Sequence, residues 1–280
     1  MQTGKPYSLN EIGRRRNNED SIFPPKNKAD ETTRFFVVCD GMGGHDNGEV
    51  ASASVCDSFA TFLKDVSPND FNESIFNHAL NFAFDELDKL DNDSESIRKM
   101  GTTLAFLFLN DNSAFMAYIG DSRIYHIRKN ENSETSILYK SFDHSLVNEL
   151  LHAEVITQEE AVNHPKRNQI TRYISPNMER RSKATVHVTQ DVQAGDRFLL
   201  CTDGILESLS DDRLLSIIAE TDNDEAMINA IQALCKKNSS DNYSAWLVPI
   251  IDIESPQFFT KIKKTQLRHC KTAKQSRRGR

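Results

Sequence analysis

The sequence predicts an α+β layered fold, and three observations lead there. The apolar spacing changes along the chain: Glu49 to Val66 and Phe71 to Leu90 carry a helical period, and strand-length apolar pieces follow from Thr102. Strands and helices come in groups instead of alternating strictly, which argues against a doubly wound parallel sheet. The 280 residues include sixteen Phe, enough to core one large domain or two small ones. No internal repeat is present.

Taken in order, Arg34 to Asp40 reads as a short buried strand. In the first helix Val50, Phe59, Phe62, Leu63 and Val66 fit one face. In the second, Phe71, Ile75, Ala79, Phe82, Ala83, Phe84 and Leu87 build an apolar stripe, which is core packing. TTLAFLFLN, SAFMAYIGD, SRIYHIRKN and TSILYKS are four strand-like segments separated by turn residues. The polar, helix-prone segment Asp143 to Ser175 comes next. KATVHVTQ and DRFLLCTDG return to strands, Asp211 to Lys237 holds two helical stretches, and YSAWLVPII closes as a strand.

Bulk composition narrows the class. The N-terminus lacks a basic-then-apolar leader, and the longest apolar runs, such as Leu104 to Leu109, are too short to span a bilayer. Five scattered cysteines without a CxxC argue against a disulfide framework or zinc-thiolate site and suit a reducing, cytoplasmic setting. Cys39 and Cys201 lie in strand-like runs and read as buried, inert thiols. The net charge of −7 is uneven: residues 255–280 hold nine Lys/Arg and no acid, leaving 25 basic against 41 acidic residues before them. Residues 1–254 are expected to form the folded domain, and 255–280 a disordered basic tail. Such a tail suits an acidic partner, nucleic acid, a membrane surface or the acidic body itself; a solvated tail without a partner is equally compatible.

Acidic residues collect where strands stop. Asp40 follows FFVVC, Asp121 follows AYIG, Asp203 follows FLLCT, Asp241 precedes the last strand, and Glu19 and Asp20 precede the first. One Asp-Gly is ordinary turn chemistry. Two "apolar run–Asp–Gly" units, at Asp40-Gly41 and Asp203-Gly204, together with the other carboxylates suggest more. Glycine there is expected to let the main-chain carbonyl turn toward whatever the carboxylate binds. Gathered carboxylates repel and hold protons unless a cation neutralises them, and oxygen-only ligands select Mg²⁺, Mn²⁺ or Ca²⁺ over zinc. A phosphate loop fails on its own residues, because Gly48 is followed by Glu49 and Val50, not by Lys and Ser/Thr.

Taken together and in order, RRRNNED, VCDGMGGHDNGEVAS, GTTLAFL, YIGDSRIY, DHSLVNEL, NHPKRNQITRYIS, GDRFLLCTDGILESLSD and SDNYSAW resemble the bacterial type of metal-dependent, PP2C-like serine/threonine protein phosphatases. The resemblance spans about residues 7 to 250. It implies a β-sandwich of two antiparallel sheets flanked by helices, a four-layer α-β-β-α arrangement with the metals at one end. It implies two Mn²⁺ or Mg²⁺ ions bridged by Asp40, with the Gly41 carbonyl, Asp203 and Asp241 as further ligands and Glu19 or Asp20 serving the second ion. Asp121 with Asp203 would hold a third, weaker ion. Arg15 matches the phosphate-binding arginine, with Arg14 and Arg16 leaving the register open by one residue. The implied reaction is attack of a metal-bridging hydroxide on phosphoserine or phosphothreonine, without a covalent enzyme intermediate. His45 is either the proton donor to the leaving group or a residue that orients the turn or touches substrate. Asn163 to Ile174 matches a flap beside the site, where Arg167 and Arg172 are candidate substrate contacts; the glycine often found near HAEVI in the family is absent. The implied partners are phosphorylated proteins, kinases among them, met by a monomer. The competing reading, a pseudophosphatase or phosphoprotein-binding module, would show lost metal carboxylates, and none is lost. The sequence does not separate a general phosphatase from one dedicated to a single switch partner.

Overall fold

The central strands are apolar on both faces, and such strands must be covered on both sides. In the computed structural model, which describes residues 1–43, 47–90, 100–130 and 132–252, that covering takes the form of four layers. Three short strands open the chain: β1 (Gln2–Thr3), β2 (Tyr7–Glu11) and β3 (Asp20–Phe23). β4 (Phe35–Met42) leads to helices α1 (Gly48–Leu63) and α2 (Glu73–Leu90). β5 (Gly101–Thr102), β6 (Leu104–Leu109), β7 (Ala114–Ile119), β8 (Arg123–Lys129) and β9 (Thr135–Lys140) follow. After the short helices α3 (Leu146–His152) and α4 (Gln158–Val162) come β10 (Thr185–Thr189) and β11 (Arg197–Cys201). Helices α5 (Asp203–Leu206), α6 (Asp211–Glu220) and α7 (Asp224–Asn238) precede the last strand, β12 (Tyr243–Asp252).

One sheet has the order β1-β12-β11-β8-β9, with β2 also on β12; the other has β10-β7-β6-β4-β3, with β5 on β4. The paired strands are antiparallel. The period-two alternation of side chains sorts each strand between two cores. Phe36, Val38, Leu107, Phe198, Leu200, Trp246 and Val248 fill the space between the sheets. Val37, Cys39, Phe106 and Phe108 face α1 and α2. Leu199, Cys201 and Leu247 face α5, α6 and α7. The expected sandwich of two antiparallel sheets flanked by helices is the observed architecture.

Several details depart from the sequence reading. β4 does not stop at Asp40 but runs two residues further, pairing Gly41 with Thr102 and Met42 with Gly101. Asp20 does not precede the first strand; it opens β3 and pairs with Asp40. β1 to β3 escaped notice because their two to five residues are too few to display a period. Val50 is 39% exposed, on the outer side of α1. Phe71 lies before α2, yet it is buried and stacks on Phe108 with ring centroids 3.7 Å apart. Cys39, Cys56, Cys201 and Cys235 are buried free thiols, as the strand placement of two of them suggested. His45 and the basic tail lie outside the described residues. Among the described residues, no helix is long and apolar enough to cross a membrane.

Candidate active site

The chain crosses between the two sheets at β2–β3 and β7–β8, and the acidic residues sit on these crossings, within β4 and beside β11 and β12. The β2–β3 loop carries Arg15 and Glu19, the three-residue β7–β8 connection carries Asp121, and β11 and β12 end beside Asp203 and Asp241. Together with Asp40, Gly41, Met42, Gly43, Asn168, Ile170 and Asn242 they line a cleft of about 240 Å³.

Asp40 is held by its backbone. Its N–H donates to Thr103 Oγ1 at 2.9 Å, and its carbonyl accepts from Thr102 Oγ1 at 3.0 Å and from Thr103 N at 2.9 Å. GTTLAFL therefore acts as a splint for the carboxylate strand. Gly41 is required for closeness, not for turning: a Cβ there would meet Gly48 O at 2.2 Å and Glu19 O at 2.4 Å. Gly204 is similar, with Asn242 O only 1.9 Å from its would-be Cβ. Neither glycine is among the residues with positive φ, so the expectation that they free the carbonyl to turn gives way to one of steric clearance. Glu19 is fixed through its carbonyl, which accepts from Gly41 N at 3.1 Å and Ser52 Oγ at 2.5 Å. That contact ties the residue just before β3 to α1.

Four of the carboxylates, Asp20, Asp40, Asp121 and Asp203, resist ionisation. Burial pushes Asp20 and Asp121 up to about 7, with the negative charge of Asp203 adding to each. Burial raises Asp40 well above the usual carboxylate range, and the nearby Asp20, Asp203 and Asp121 raise it further. Asp203 is also raised, chiefly by burial. Thr202 Oγ1 donates to Asp20 at 3.0 Å, but Asp121 Oδ1 and Asp203 Oδ1 are buried without a hydrogen-bond partner. Buried, unpartnered carboxylate oxygens are costly, and a hard cation satisfies them. Among the described residues, no group of three or more His, Cys, Asp or Glu forms a metal cage by itself. An ion of the Mg²⁺ type does not need one, because it keeps several waters and takes one or two carboxylates. The donor set thus fits hydrated hard cations.

Of the three consecutive arginines, Arg15 reaches the cleft and donates to Asp241 Oδ2 at 2.5 Å. Arg14 turns away and donates to the Lys237 carbonyl near the end of α7 at 2.7 Å. Arg167 and Arg172 are exposed and stand off the cleft wall; Arg172 faces the His144 ring at 3.5 Å. The flap contributes Asn168 and Ile170 instead. Its C-terminal end is anchored: Thr171 N donates to His144 O at 2.8 Å, and Ile174 exchanges two backbone hydrogen bonds with Thr102 of β5. A second cavity, of about 470 Å³, lies at the flap root, but its Arg123 and Lys140 are already paired with Asp143 and Asp211.

A model of the protein phosphatase 2C family matches residues 10–251. The chain belongs to the protein phosphatase 2C family. It is 36% identical over 213 residues to protein phosphatase PhpP of Streptococcus pneumoniae, covering 75% of this chain and 82% of that protein. Its fold matches the Mycobacterium tuberculosis serine/threonine phosphatase PstP/Ppp at a TM-score of 0.75 and 26% identity, over 90% of this chain and all of the other. A structure of the PstP catalytic domain in complex with two manganese ions matches with the same TM-score at 25% identity and the same coverage.

Sequence reasoning overlooked Asn242, Thr102, Thr103 and Thr202. All four lie inside or beside motifs that the resemblance rests on, but neutral side chains there carry no charge signal. Asn242 is 5% exposed and bonds three separate backbone groups of the Arg15 loop.

Proposed function

We propose that this protein serine/threonine phosphatase hydrolyses phosphoserine and phosphothreonine in proteins by direct in-line attack of water, using two hard cations, Mn²⁺ or Mg²⁺. Membership of the phosphatase 2C family supports the class, and the manganese complex of PstP supports the metal. The observation that carries the mechanism is the set of buried carboxylates with raised pKa values, two of them with unpartnered oxygens, facing one arginine.

Asp40 would hold both ions, with the Gly41 carbonyl, Asp203, Asp241 and Glu19 or Asp20 completing the protein ligands. Asp121 with Asp203 would take a third ion. Such ions, when bound, lower the pKa of a water toward neutrality and offset phosphate charge. The chain's own residues do the rest. Arg15 lies within reach of the cleft, where its guanidinium forks onto two phosphate oxygens and holds phosphorus in line. Thr102 and Thr103 keep the Asp40 backbone immobile, so the carboxylate needs no reorganisation during the reaction. The bond from water oxygen to phosphorus forms as the bond to the seryl or threonyl oxygen breaks. That oxygen takes a proton, and inorganic phosphate and the free hydroxyl leave. His45 remains the proposed proton donor, turn support or substrate contact. Asn168 and Ile170 would meet the substrate protein, with Arg167 and Arg172 further out.

Hydrolysis of a phosphothreonine peptide should appear with Mn²⁺ and vanish with chelator. Activity that persists unchanged in chelator overturns the proposal.

A further inference from the structure

Three adjacent arginines, Arg14, Arg15 and Arg16, carry the same guanidinium beside one cleft, which Arg15 lines. A slip of one residue moves the backbone by roughly 3.3 Å and exchanges one for another. We infer that Asn242 is a positioning residue that sets this register, so that Arg15 alone enters the phosphate site. The inference rests on the phosphatase reading for its catalytic consequence, but not for its geometry.

The loop from Ile12 to Glu19 is clasped by one side chain. Asn242 Nδ2 donates to Ile12 O at 2.7 Å and to Asn17 O at 2.8 Å, and Asn242 Oδ1 accepts from Glu19 N at 2.9 Å. Both amide hydrogens and the oxygen are used, and the residue is nearly fully buried. The contacts fall on both sides of the arginine triplet, so neither flank can slide without breaking one. The clasp is itself fixed. Asn242 N–H donates to Asp241 Oδ1 at 2.8 Å, and the Asn242 carbonyl lies against Gly204 where no Cβ fits. Asp241, the residue that receives Arg15, is therefore its immediate neighbour in sequence. Donor loop and acceptor are aligned by adjacent residues of one strand entry. Gly13 permits the tight approach: its φ is +60°, and a Cβ there would stand 1.9 Å from Asp241 O. Arg14 is diverted to the Lys237 carbonyl, which removes it from competition.

An arginine scan in two backgrounds tests this, with p-nitrophenyl phosphate as substrate and inorganic phosphate as inhibitor. In the natural sequence, Arg15→Ala should raise KM and the phosphate inhibition constant roughly tenfold or more, the scale of a lost charge-assisted pair. Arg14→Ala and Arg16→Ala should change both by less than about twofold. In Asn242→Ala, KM should rise while kcat falls less, and adding Arg15→Ala should cost only a small part of its original effect, because the neighbours now share the site. Equal costs for all three arginines in the natural sequence overturn the register, and that arm needs no change at Asn242. An Arg15 effect as large in Asn242→Ala as in the natural background also overturns it. A readout free of turnover is the Arg15 guanidinium proton signal in metal-free protein, held by Asp241. It should be distinct in the natural sequence and averaged in Asn242→Ala, and an unchanged signal counts against the clasp. Absence of any Mn²⁺-dependent hydrolysis in the natural protein would sink the phosphatase reading and leave the proton signal to decide the register.

Discussion

Asp203 combines deep burial with an oxygen that no protein group satisfies. Asp203→Asn keeps the shape and removes the charge, so Mn²⁺-dependent turnover should fall at least a hundredfold, roughly the scale of losing several kcal/mol of charge stabilisation. Steady-state rates with a phosphopeptide check it. Proton linkage gives a second residue-level expectation. Asp20 and Asp121 stand near pKa 7, so each is about half protonated at neutral pH. A cation must displace those protons. Binding should release protons, and apparent affinity should climb as pH rises from 6 to 8. Calorimetry in two buffers of different ionisation heat would show different apparent enthalpies; identical values would contradict the assignment. The roles of the carboxylates were suggested by their order in the chain. The clearance at Gly41 was not, because nothing local shows that Gly48 and Glu19 pass within 2.4 Å of its would-be Cβ.

At the scale of elements, the site gathers two places where the chain changes sheets, β2–β3 and β7–β8, around β4 and the flanks of β11 and β12. β4 runs through the cleft instead of ending at it, and its final pair with β5 holds Gly41 in line. The long apolar strands and both Phe-rich helices were legible because their periods extend over enough residues. β1 to β3 were not, since strand pairing rather than pattern defines them. The flap root makes its own prediction. His144 Nδ1 accepts from Gly120 N at 3.2 Å, which requires the neutral ring, and burial lowers its pKa to about 4, with Arg172 contributing. The unfolded chain takes up this proton near 6.5, so it binds more protons than the native state between the two values. This site therefore stabilises fully above about pH 6.5 and loses that contribution as pH falls toward 4. Urea titrations at pH 7 and pH 5 should show it, and His144→Gln should flatten the difference. A slope that is the same in both proteins would remove His144 as its source.

For the whole molecule, the proposed cation site draws on both sheets: β3 and β4 belong to one, while Asp203 and Asp241 adjoin strands of the other. An ion held from both sides would tie the layers together. At a hundredfold excess over Kd it stabilises by about 2.7 kcal/mol, which raises Tm by roughly 5–10 °C for a chain of this size. Scanning calorimetry with and without Mn²⁺ measures the shift, and the gain should shrink in Asp203→Asn. Among the described residues, the three cores draw on residues 1 to 250. If the basic tail adds nothing to these cores, as its composition leads us to expect, ending the chain after Glu254 should leave Tm within about 2 °C in metal-free buffer. A larger loss would place the basic tail in the fold.

The sequence by itself determined the layered class, the family resemblance, the acidic set and the arginine triplet, because charge, period and motif order are written along the chain. Only the tertiary structure decided which arginine faces the cleft, why Gly41 and Gly204 must be bare, and which neutral side chains brace the carboxylates. Each of those depends on atoms from distant segments meeting within a few ångströms: Asn242 grips residues more than two hundred positions away. A one-dimensional pattern records what a residue is, and packing between sheets records what it stands against.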